Sequence, residues 1–409
     1  MKKVLILGAG TAGTTILNKL SGFLNRDEWS LTIVDQCEQH YYQPGFLFIP
    51  FGIYKEKDVY KPIKDFIPKG VEVVNTGIER IEPANNCVIL SDGKTLNYDY
   101  LIVATGCKIK PEETEGMTGP LWYKEIFDYY TLEGSTALAS YLEKWNGGKL
   151  VINITEMPIK CPVAPLEFCF LADWYFTKRG IRDKVDIHFV TPLPGAFTKP
   201  RATALFSDFL TKKNIKITTE FSISKVDNET KEIISWDERR IPFDLLVTIP
   251  TNMGDESIER SEMGDELNFI PTDKGTLRSK AYENIFVIGD ATDLPTSKAG
   301  SVAHFECDIL FHNFVSMAEN KDQNHKFDGH ANCFIETGFG KAILIDFNYD
   351  TEPLPGIYPF PHIGPLSLLK NTRLNHWSKL AFKWVYWNIL LKGKYIPIAS
   401  NMPMAGKKP

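Results

Sequence analysis

Short, near-continuous apolar runs closed by glycine or a charged residue punctuate the start of the chain: Val4 to Leu7, Leu31 to Val34 and Leu101 to Ala104. Runs this short and this apolar fit parallel strands buried on both faces. A helical stretch separates the first two, so residues 3–35 predict a strand, turn, helix, strand unit. The same pattern predicts later strands at Lys149–Ile154, Val185–Val190, Leu245–Ile249 and Asn284–Ile288. Strands alternating with helices predict an α/β chain of two doubly wound, Rossmann-like domains. Residues 1–110 and 265–330 are expected to form the first domain, 111–264 the second, and 331–409 a C-terminal region.

The turn of the first unit reads Gly8-Ala9-Gly10-Thr11-Ala12-Gly13. Gly8 permits a tight turn, Gly10 lets backbone N–H groups approach a pyrophosphate, and Gly13 lets helix and strand pack closely. The helix N-terminus adds partial positive charge for phosphates. Asp35, 22 residues after Gly13, stands where a carboxylate can accept hydrogen bonds from ribose hydroxyls. Two more strands end in small-residue turns, Ala104-Thr105-Gly106 and Gly289-Asp290. The spacing of these three elements resembles the two-dinucleotide-binding-domain flavoproteins. That resemblance implies FAD along the first domain, with Gly8, Gly10, Gly13, Asp35, Thr105, Gly106, Gly289, Asp290 and Gly300 about it. In the second domain the corresponding turn, Thr155 to Pro162, holds no glycine, and Glu156 would repel a pyrophosphate. An NAD site is therefore expected to be lost, and the flavin needs another electron donor.

Composition narrows the classes. Of 409 residues 24% are charged and 43% hydrophobic, with a net charge of -5. This is an ordinary globular balance, which argues against disorder, a multi-span membrane protein or a nucleic-acid partner. The chain begins Met-Lys-Lys and turns at Gly8, too soon for a signal-peptide core, so a cytoplasmic location is expected. Seven scattered cysteines include no C-x-x-C pair, and no spacing suggests a metal site.

Cys161 lies in Cys161-Pro162-Val163-Ala164-Pro165-Leu166-Glu167, where the second nucleotide would have bound. Cys333 follows the last FAD segment in Asn332-Cys333-Phe334. Cys37, Cys87, Cys107, Cys169 and Cys307 are read as buried small hydrophobes. With the glycine turn, Ala104-Thr105-Gly106, Gly289-Asp290, Ser297-Lys298-Ala299-Gly300 and an aromatic, basic tail, the chain resembles the sulfide:quinone oxidoreductases over nearly its whole length. The resemblance implies that Cys161 and Cys333 form a redox pair that accepts sulfide and passes electrons to FAD, with Cys333 on the flavin side. It also implies a proton-shuttling role for Glu167 and a place for Lys298 near the flavin pyrimidine or the quinone. The third cysteine that some members use for covalent attachment is missing from Leu121 to Phe127, so FAD is expected to be non-covalent. The other readings are a type II NADH:quinone oxidoreductase, a soluble sulfide dehydrogenase flavoprotein, and a non-catalytic polysulfide-binding paralogue.

From Pro355 onward there is no acidic residue but there are eight Lys and Arg and eight aromatics. Trp377, Leu380, Ala381, Trp384, Trp387 and Leu391 recur at helical spacing, with Lys379 and Lys383 on a narrower polar stripe. This predicts an amphipathic helix lying in the bilayer interface. Monotopic attachment to the lipid surface, on the cytoplasmic face, is expected to give access to membrane quinone. By the family's Lys-x-Ala-Phe stretch, Phe382 is the expected quinone ring partner, with Phe334 and Phe347 as neighbours. A homo-oligomer is a family expectation only.

Overall fold

The computed structural model describes residues 1–361 and 363–408. Its first parallel sheet runs in spatial order Ile285–Val287, Tyr100–Val103, Lys2–Leu7, Trp29–Val34, Glu72–Val74. Val4 and Ile6 point to one face, under helices Thr11–Phe23 and Gly300–Ala318, and Leu5 and Leu7 to the other, under a small antiparallel sheet containing Ile81 and Val88. Both faces are covered, which is why these strands read as unbroken apolar runs. The strand order reverses beside Lys2–Leu7, and such a reversal opens a crevice at the carboxyl ends of the strands.

The second parallel sheet runs Ile126–Phe127, Leu245–Ile249, Gly148–Ile154, Val185–Val190, Lys216–Thr218. Two antiparallel strands, Cys107–Lys110 and Thr251–Gly254, join it to the first. A third sheet carries Ala331–Gly338, Lys341–Phe347, Gly364–Leu368 and Gly356–Phe360 in that order. Across it lies the tail helix Arg373–Val385, opened by Thr372, whose Oγ1 accepts from the Asn375 N–H at 3.1 Å. It passes into a π-helical turn at Tyr386–Leu390. Among the described residues no helix is long and apolar enough to cross a membrane.

The tail differs from the sequence expectation. Trp377 and Trp384 are 65% and 62% exposed, but Trp387 and Leu391 are buried with Tyr42, Phe46, Ile49 and Phe66. The π turn adds a residue to the helical repeat and rotates everything after it, so a stripe that is continuous in an ideal helix splits in two. Lys379 turns inward instead of toward lipid, because a buried carboxylate, Glu167, is there to receive it.

Candidate active site

The glycine turn is held by close approach. Gly8 has φ +96°, and a Cβ there would stand 2.4 Å from the Ala104 carbonyl oxygen; one on Gly13 would stand 1.8 Å from the Gly8 oxygen. A Cβ on Gly10, Gly106 or Gly300 would meet nothing within 4 Å. Beside these open positions Asp35 accepts from the Ala9 and Cys37 N–H groups at 2.6 and 2.8 Å. The Thr105 hydroxyl is buried without a hydrogen-bond partner among the described residues. Asp290, pushed up by burial, has the Cys107 thiol at 4.0 Å as its only side-chain contact among the described residues. Bare backbone, a helix N-terminus and two underused polar groups at one crevice fit a flavin dinucleotide.

The tail closes onto this turn. Tyr386 Oη lies 2.7 Å from both Thr11 Oγ1 and His40 Nε2, while His40 Nδ1 is 3.0 Å from the Ala9 carbonyl. The carbonyl can only accept, so Nδ1 carries the proton. Burial lowers His40 to about 4, so the ring is neutral and Nε2 accepts from the tyrosine.

Cys161 sits at φ +46° just before the helix Ala164–Lys178, which starts with Pro165 in its first turn. Its N–H donates to the Lys298 carbonyl at 2.7 Å, and its own carbonyl accepts from Ala164 N–H at 2.8 Å. Tyr130 Oη donates to the neighbouring Lys160 carbonyl at 2.6 Å. Cys333, on Ala331–Gly338, is buried where that strand packs on the same helix. Burial and then the charge of Glu167 push Cys161 up to about 12; burial, Cys161 and Glu167 push Cys333 up further. Each thiol is therefore protonated at rest, and Cys161 is the more accessible of the two.

Glu167 Oε1 accepts from the Glu336 N–H at 2.7 Å and from Lys379 Nζ, which also donates to the Phe334 carbonyl at 2.9 Å. Burial pushes Glu167 up while Lys379 pulls against it. Burial opposes the charge on Lys379, but Glu167 and Glu336 outweigh it and hold the ammonium. Glu336 in turn lies 2.9 Å from His376 Nδ1. Lys298 is tied to the Gly289 turn. Its Nζ donates to the Asp290 and Thr292 carbonyls at 3.0 and 2.6 Å and lies 3.8 Å from the Phe269 ring centroid, fixing the Gly289 turn.

The three aromatic candidates do not converge. Phe382 is half-buried beside Tyr386, one helical turn from Lys379. Phe334 faces away from Cys333, into the cluster of Leu344, Tyr358 and Leu366. Phe347 is in the core against Phe197 and Lys199, at the far end of its strand from the Ala342–Thr372 bridge under the tail helix. Sequence reading missed Glu336, His376, His40 and Tyr386. The one available signal was Glu336, the single charged residue in the strand Ala331–Gly338 that carries Cys333.

Glycine turn, crevice and two sheets in this arrangement define the class, a flavoprotein oxidoreductase with two dinucleotide-type domains. Residues 2–147 match the family model "Pyridine nucleotide-disulphide oxidoreductase". Over nearly its full length the chain is similar to the sulfide:quinone oxidoreductases. It is 29% identical over 403 residues to the mitochondrial sulfide:quinone oxidoreductase of Dictyostelium discoideum, covering 96% of this chain and 86% of that one. The solved sulfide:quinone oxidoreductase of Aquifex aeolicus superposes with a TM-score of 0.78 at 20% identity, over 96% and 92% of the two chains. A type II NADH:quinone oxidoreductase of Staphylococcus haemolyticus is 30% identical over 143 residues, which is 35% of this chain and 34% of that one.

Proposed function

We propose that this chain oxidises sulfide and passes the electrons to membrane quinone, with Cys161 and Cys333 as its redox pair. The observation that carries this reading is convergence: cysteines 172 positions apart lie near enough for the charge of Cys161 to bear on Cys333, and both feel the charges of the buried Glu167–Lys379 pair. They do so where a glycine-free turn replaces a nucleotide site. Gly8, Gly10, Gly13, Asp35, Thr105, Gly106, Gly289, Asp290 and Gly300 would hold FAD non-covalently, and the flavin would supply two-electron redox chemistry between sulfur and quinone.

In the oxidised chain the two cysteines are bridged through sulfur. Hydrosulfide attacks at Cys161, the S–S bond breaks, and a persulfide on Cys161 and a thiolate on Cys333 result. Burial makes that thiolate costly and so a strong electron donor, while Lys379 limits the cost by its charge. Glu167 keeps Lys379 in place and takes up or returns a proton beside Cys161. The exposed stripe Leu374, Trp377, Ala381 and Trp384 rests on lipid, and Phe382, on the inward side of the same helix, meets the quinone ring.

The test is anaerobic rapid mixing of the oxidised holoprotein with sulfide or with NADH. Sulfide bleaches the visible flavin band, a short-chain quinone restores it, and NADH does neither. Bleaching by NADH but not by sulfide would return the chain to the type II NADH:quinone class.

A further inference from the structure

Oxidation of hydrosulfide by a quinone balances as HS⁻ + Q + H⁺ → S⁰ + QH₂. Two electrons leave sulfur and two enter the quinone; the S–H proton supplies one quinol O–H, and the second must come from outside in every turnover. The structure contains a chain of groups suited to bring it in. Glu336 is buried, with its side chain 2% exposed, and both its carboxylate oxygens lie 2.9 Å from Nδ1 of His376, whose side chain is 21% exposed. His376 Nε2 has no protein partner among the described residues and stands next to the exposed Trp377. On the inner side, the Glu336 N–H is bonded to Glu167, and its carboxylate helps to hold the Lys379 ammonium.

The charge count distinguishes this cluster from an ordinary buried ion pair. Glu167 and Lys379 balance each other. Glu336 adds a second buried carboxyl, pushed up by burial, that is neutral only when it shares a proton with His376, so the group as a whole holds one exchangeable proton. The other titratable groups facing it stay neutral: Tyr54, from the loop before the strand Tyr60–Pro62, is pushed up to about 12 by burial and by Glu336, and burial also pushes up Cys161, Cys333, Tyr42, Tyr129 and Tyr130.

We propose that His376 and Glu336 form the proton-entry relay for quinone reduction, a reading that rests on the sulfide:quinone activity proposed above. Lys379 gives its proton to the reduced quinone oxygen. Water or a lipid headgroup adds a proton at Nε2 of the neutral, Nδ1-protonated His376 ring as Nδ1 gives its own proton to Glu336, which passes it inward to restore Lys379; the ring returns to the Nδ1–H tautomer by exchange through water.

His376→Asn keeps a hydrogen-bond donor toward Glu336 but cannot titrate. In that variant kcat for quinone reduction should fall tenfold or more with KM for quinone little changed, lose the wild-type pH dependence between pH 6 and 8, and recover on addition of imidazole. Independently of turnover, the His376 Nδ1–H proton resonance should move in Glu336→Gln, because its carboxylate acceptor is gone. An unchanged pH profile in His376→Asn, a loss that imidazole does not rescue, or an unmoved Nδ1–H resonance would overturn the relay. Bleaching of the wild-type flavin by sulfide, measured alongside, reports on the parent activity: its absence overturns that reading and the relay with it.

Discussion

Two buried residues carry consequences that can be measured one at a time. Lys379→Met leaves Glu167 buried without its counter-charge and should cost about 3–5 kcal/mol, whereas adding Glu167→Gln to it should recover much of that loss; urea unfolding of the three variants decides it. His40 supplies a pH dependence of known sign. Its folded pKa of about 4 lies below the unfolded value, so the unfolded chain binds the extra proton between the two. Stability is therefore full above roughly pH 6.5 and falls by up to roughly 3 kcal/mol as pH drops toward 4. His40→Asn should flatten that limb of the pH–stability curve. Neither role was visible in the sequence. His40 stands 346 positions from Tyr386 and Glu167 stands 212 from Lys379, and no local pattern marks partners at that range.

At the level of elements, legibility followed burial. Strands such as Val4 to Leu7 announce themselves because both faces are covered, and the glycine turn does so because a Cβ would clash at Gly8 and Gly13. The tail helix was read as amphipathic from its period, but a period shows that two faces differ without showing which one meets the protein. Lys379 is buried, and Lys383 lies 4.0 Å from the Tyr54 ring centroid. Around the tail helix, the charges left facing outward are Lys370, Arg373, Lys392 and Lys394. Replacing those four by Gln should weaken binding to anionic vesicles by about 1 kcal/mol per charge and remove most of its salt sensitivity. Trp377→Ser with Trp384→Ser should weaken binding at all salt concentrations. Flotation of the variants at low and high salt separates the two contributions, and unchanged flotation of both would remove the tail helix from the membrane contact.

For the whole molecule, the tail is part of the first domain and not an appendage to it. Tyr386 is bonded to Thr11 of the glycine turn, and Asn18 donates to the Leu391 carbonyl at 3.0 Å. Truncation before Tyr386 should therefore lower both thermal stability and flavin retention, where loss of a simple anchor would change only vesicle binding. The central claim is that electrons from sulfide enter through the two cysteines. It is tested most directly by anaerobic rapid mixing of sulfide with Cys161→Ser and Cys333→Ser proteins that carry a normal complement of FAD. The account predicts that the flavin of wild type bleaches and that neither variant's does. Bleaching at the wild-type rate in either variant would contradict it.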